Sequence, residues 1–102
     1  MFESWSIYKD EGEWYENQTC GQPILTDSRF AIDVTDSEGL RCTVSATSQD
    51  GVRYSGTYRY TEGAYPEGQV IFHRFKGPDG DVMAGEWIGG ASRGKWIIRI
   101  AR

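Results

Sequence analysis

Apolar and polar side chains alternate with a period of two along most of this chain, and that feature confines it to β-structure. Val52, Tyr54, Gly56, Tyr58 and Tyr60 alternate with Arg53, Ser55, Thr57 and Arg59. Phe30, Ile32 and Val34 alternate with Ala31, Asp33 and Thr35, and Trp96, Ile98 and Ile100 with Lys95, Ile97 and Arg99. Successive residues of a strand point to opposite faces, so this pattern marks strands with one face against a core. No segment carries apolar residues at helical spacing over a useful length. Turn signals separate the runs: DSEG at 36–39, QDG at 49–51, EGAYPEG at 62–68, GPDG at 77–80 and GGASRG at 89–94. They recur about every 12 residues, the rhythm of an antiparallel meander.

The expected strands are 3–8, 12–17, 28–35, 40–47, 52–60, 69–76, 81–88 and 94–101. A sheet of this many short strands leaves open edges that invite aggregation unless it closes. Closure into an up-and-down barrel removes the edges, and about eight strands leave an interior that is filled or holds one small ligand. A two-sheet sandwich is the rival, but it needs longer crossing connections. The expectation is therefore one all-β domain over 1–102, an antiparallel up-and-down meander closed into a small, roughly eight-stranded β-barrel.

Composition limits what such a barrel does. A net charge of −4 argues against nucleic acid, whose phosphates need a basic surface. No apolar run approaches the roughly 18–20 residues of a membrane-spanning helix. The opening MFESWSIYKDEGEWYE is charged and lacks the apolar segment of a secretory signal, which points to the cytoplasm if Met1 is native. Cys20 and Cys42 are read as free thiols, with Cys42 a core residue in the Leu40, Cys42, Val44, Ala46 alternation. With a single histidine and no C-x-x-C, neither a metal site nor a cofactor is expected. GPDGD at 77–81 lacks the spaced ligands of a calcium loop and reads as a hairpin turn.

A glycine stands two residues before a large aromatic three times, as Gly12/Trp14, Gly56/Tyr58 and Gly85/Trp87. The two share a strand face, and the missing side chain leaves room for a bend or for a ring to cross the backbone. Gly12-Glu13-Trp14 resembles the opening G-x-W of lipocalins. Longer stretches resemble the avidin-like members of the same calycin group of barrels: GEWYENQ at 12–18, VRYSGTYRY at 52–60, QVIFHRFKG at 69–77, AGEWIGG at 84–90 and GKWIIRI at 94–100. The resemblance implies a calycin barrel in which Trp14 closes the floor against a basic residue such as Arg99 or Arg102. Phe75 and Trp96 match aromatic wall positions. The biotin-binding residues are largely unmatched: the first-strand asparagine slot is Glu16, with Asn17 one place late on the opposite face, and Asp81, Val82 and Met83 replace the hydroxyl and tryptophan positions. Biotin is thus not the expected ligand. FESWSIYK at 2–9 precedes the first matched strand and is expected to close the barrel in place of a strand after the last matched one.

The candidate ligand-binding residues are Trp14, Tyr54, Tyr58, His73, Phe75, Trp87 and Trp96, aromatic walls with tyrosine hydroxyls and one histidine as polar handles. The bland alternative is a packed core, with His73 on the surface. Glu86 is expected to face water beside Arg74, and Arg41, Arg53 and Arg59 to form an outward basic stripe balanced by Asp33 and Glu62. The leading function is non-enzymatic binding of a small apolar or amphipathic ligand in the barrel cup. A packed interaction or inhibitor module, acting through Trp5, Ile7 and the loop bearing Tyr65, is the alternative. Acid–base chemistry by His73 with Glu86 or Asp81 is the third. Strand 69–76 is apolar on both faces, and the resemblance implies a homodimer or tetramer.

Overall fold

The computed structural model describes residues 4–36, 38–61 and 66–101. Eight strands follow one another: β1 (Trp5–Asp10), β2 (Glu13–Leu25), β3 (Arg29–Thr35), β4 (Arg41–Thr47), β5 (Arg53–Tyr60), β6 (Gly68–Lys76), β7 (Gly80–Gly89) and β8 (Ser92–Ala101). Each pairs antiparallel with the next, and β1 pairs with β8 from Trp5↔Arg99 to Lys9↔Lys95, so the meander closes into a barrel. The N-terminal strand thus supplies the closure. Tyr65, Glu62 and Arg102 lie outside the described residues. Among the described residues no helix is long and apolar enough to cross a membrane.

The first hairpin sets which face of β2 looks inward. Glu11 and Gly12 have φ angles of 51° and 85°, the two-residue turn that matches strand twist, so Asp10 pairs with Glu13 and Tyr8 with Tyr15. Gly12 therefore belongs to a tight turn rather than to a bend within a strand. Gly56 and Gly85 are the close-approach positions: an added Cβ would collide with the carbonyls of Ser45 and Ile71 respectively, on neighbouring strands. β2 runs eight residues beyond its expected end at 17, through Pro23, because a register shift between Cys20 and Ile24 absorbs the extra residues.

The alternation resolves into two ends of the interior. At the end bearing the 26–28, 48–52 and 77–79 connections, Phe30, Tyr54, Phe72, Met83 and Ile98 are fully buried, with Phe30 and Phe72 edge to face at 5.6 Å. Arg74 plugs this end. It lies on the inward face of β6 after Val70 and Phe72, not outward beside Glu86 as the sequence reading had it. Its Nε and Nη2 both reach Asp81 Oδ2 at 2.8 Å, and Nη1 donates to Asp27 Oδ1 at 3.0 Å and to the Tyr54 hydroxyl at 3.2 Å. Tyr54 in turn donates to the Thr26 carbonyl. Glu86 instead takes Lys95 Nζ at 2.6 Å on the outer face.

The guanidinium side chain of Arg74 is only 11% exposed, so its charge depends on this ring of acceptors. Removing one partner of a buried pair leaves the other uncompensated, whereas apolar replacement of both is often tolerated. Asp81→Leu is expected to lower unfolding stability by about 3 kcal/mol. The double substitution Arg74→Met, Asp81→Leu is expected to recover more than half of that loss, as read from urea denaturation midpoints.

Candidate functional site

The opposite end of the barrel, where the β1–β2, β3–β4 and β7–β8 turns lie, is hollow. A cavity of about 320 Å³ opens there, lined by side chains from β1 to β5, β7 and β8 and from the β3–β4 connection. Its walls are rings. Tyr58 packs edge-on against Trp96 (6.1 Å), Tyr60 (6.2 Å) and Trp87 (6.3 Å), and Tyr8 stacks on Tyr15 at 5.4 Å. These rings share the inward face because antiparallel pairing sets Tyr8 opposite both Tyr15 and Trp96, and Trp87 opposite Gly94, two residues before Trp96, while Tyr58 and Tyr60 alternate with outward Arg59.

Both tryptophans are fixed by hydrogen bonds to β1: Trp96 Nε1 donates to Ser6 Oγ at 2.7 Å, and Trp87 Nε1 donates to the Lys9 carbonyl at 3.1 Å. The indole N–H groups are thus committed to structure, and the cup receives ring surface from them. Its polar groups come from elsewhere. Asn17, 5% exposed, lines the cavity, and its Oδ1 has no hydrogen-bond partner among the described residues. Asp10, Asp36 and Glu38 lie at the rim. Asp36 Oδ1 accepts from the backbone N–H of Glu38 and of Leu40, both at 2.9 Å, which shapes the turn.

The phenols of Tyr15, Tyr58 and Tyr60 and the thiol of Cys42 are neutral at physiological pH. Burial pushes the Tyr58 and Tyr60 phenols up, helped by Cys42 and by the nearby carboxylates of Asp10 for Tyr58 and Asp36 for Tyr60. Burial likewise pushes the Cys42 thiol up to about 12, against one backbone hydrogen bond from Arg59 that favours the thiolate. Tyr15 is raised chiefly by the charge of Glu13.

Of the seven residues singled out from sequence, Tyr58, Trp87 and Trp96 meet in the cup. Tyr54 is interior but belongs to the packed end. Trp14, His73 and Phe75 stand on the outer face, because Tyr15 and Asn17 occupy the inward positions of β2, and Val70 and Phe72 those of β6. These three share a shallow outer groove with Arg53, Glu86 and Lys95. Trp14 is 46% exposed, with Lys9 Nζ 5.9 Å from its ring centre, so it does not close the floor as the lipocalin resemblance implied. His73 and Glu86 flank the outer groove, while Asp81 lies inside the barrel. Arg41, Arg53 and Arg59 are exposed, with Arg41 paired to Asp33 at 3.7 Å.

Sequence reasoning passed over Tyr8, Tyr15, Asn17 and Tyr60 as cup residues. The signal for the first three was the Glu11-Gly12 turn, which once fixed forces Tyr8, Tyr15 and Asn17 onto one face. Among the described residues no group of three or more His, Cys, Asp or Glu side chains is placed to hold a metal ion. Gly77 N–H donates to the Gly80 carbonyl at 2.9 Å, the hairpin turn expected at GPDG. No protein-family model matches the chain, and no curated protein matches it.

Cys42 ties this site to the stability of the barrel. The unfolded chain releases the thiol proton near the ordinary value of 9, the folded chain only near 12. Between those values the unfolded state holds fewer protons, so unfolding free energy falls as pH rises, and the raised phenols add to the same slope. The urea midpoint is expected to hold level from pH 7 to 8 as far as these groups are concerned, and to drop steadily above about pH 9. A thiol reagent at neutral pH is expected to modify Cys20 in the folded protein and to reach Cys42 only after unfolding, as counted by mass spectrometry.

Proposed function

We propose that this barrel is a non-enzymatic binding protein that takes a small amphipathic ligand into its aromatic cup, in the manner of calycin-like barrels. The observation that carries the reading is the asymmetry of the interior. One end is packed solid around Arg74 and Asp81, and the other holds about 320 Å³ enclosed by aromatic rings. Ligand pockets start near 300 Å³ and combine apolar walls with a few polar groups. A barrel filled for stability alone has no physical reason to leave such a space. Kinship to avidin-like or lipocalin-like proteins belongs to this same reading. It is supported by the closed eight-strand meander, while the Gly12-Glu13-Trp14 motif contributes nothing to it.

A second reading has an observation of its own. Phe75 is 60% exposed and shares the outer groove with Trp14, Ile71, Ala84 and Ile97, an apolar strip that crosses β6, β7 and β8. Such a strip favours association, with a second copy of the chain or with another protein. The two readings are compatible, because they use opposite faces of the same strands.

Native mass spectrometry of protein purified without denaturation weighs the assembly and any retained small molecule together. Titration with benzyl alcohol, a small neutral amphiphile, completes the test. Saturable shifts are expected in the indole N–H signals of Trp87 and Trp96, while Trp5 and Trp14, which are exposed, stay still. No retained mass together with no saturable shift would overturn the cup reading. For the second reading, Phe75→Lys is expected to shift any oligomer seen by sedimentation toward monomer without lowering the urea midpoint.

A further inference from the structure

The cup is one-sided in charge. We propose that the ligand is a small organic cation, an ammonium or amidinium group on a compact apolar or aromatic body, seated among the rings with its charge toward the carboxylate rim. This inference rests on the reading of the cup as a ligand site and names the class of ligand.

Two independent features converge on it. The first is the rim. Asp10, Asp36 and Glu38 contribute carboxylates, and no lysine, arginine or histidine is among the lining residues described. Asp36 is occupied with its turn, but among the described residues neither Asp10 nor Glu38 has an ion-pair partner. An anionic ligand would meet only repulsion there. The second is the wall. Trp87 and Trp96 lie 6.3 and 6.1 Å from Tyr58, each edge to face with it, and aromatic faces attract cations, more strongly where water is excluded. Their indole N–H groups are spent on Ser6 and on the Lys9 carbonyl, so these two rings offer no donor to an anion.

The phenols of Tyr58 and Tyr60 stay protonated, so they solvate a bound cation as neutral dipoles while the rim supplies the charge. The net charge of −4 also favours encounter with cations over anions.

Three probes of one shape separate the possibilities: benzylammonium, benzyl alcohol and benzoate, titrated into the full chain at low salt and read from the indole N–H signals of Trp87 and Trp96. Benzylammonium is expected to bind about tenfold more tightly than the alcohol, benzoate not to saturate, and the cation's advantage to shrink as salt is added. The double variant Asp10→Asn, Glu38→Gln is expected to cost benzylammonium about threefold per carboxylate and to leave benzyl alcohol unchanged. Alcohol binding as tight as the ammonium overturns the cation assignment and leaves the cup reading standing. Saturation by none of the three overturns both.

Discussion

The pairing of β1 with β8 is the contact on which the rest of this barrel depends. It turns an open meander into a closed one, and it leaves neither terminal strand with an unpaired edge where aggregation would begin. The seam also builds the cup. Trp96 on β8 is held by Ser6 on β1, and Trp87 on β7 reaches the Lys9 carbonyl on the same strand. Gly94 makes the second of these possible, since a Cβ there would strike both the Lys9 carbonyl and the Trp87 indole. The two largest walls of the candidate site are therefore anchored across the closure, and whatever loosens β1 loosens the site with it.

The packed end and the hollow end follow from what each strand places at equivalent depths. β3, β5, β6, β7 and β8 send Phe30, Tyr54, Phe72, Met83 and Ile98 into one half, where they fill the section. The last inward position of β6 is an arginine, and it stays charged there because Asp81, Asp27 and the Tyr54 hydroxyl converge on it. In the other half the inward residues are tyrosines and tryptophans that meet edge-on. Tyr58 holds its centre 6.1–6.3 Å from those of Trp96, Tyr60 and Trp87, and these rings surround the cavity.

Period-two alternation made the strands and the closed meander legible, because a one-residue slip exchanges the two faces and the pattern tolerates no such slip. It also placed Tyr58 and Trp96 correctly, since each belongs to a run whose inward face is unambiguous. It failed where both faces are apolar or aromatic. In β6 the residues Ile71, His73 and Phe75 look as much like a core face as Val70, Phe72 and Arg74 do, and only the neighbours decide. In β2 the resemblance to a G-x-W opening drew attention to Trp14, whereas the Glu11-Gly12 turn hands the inward face to Tyr15 and Asn17. Arg74 was missed for a simple reason: an arginine is expected in water, and the carboxylate that makes its burial tolerable is seven residues away on the next strand.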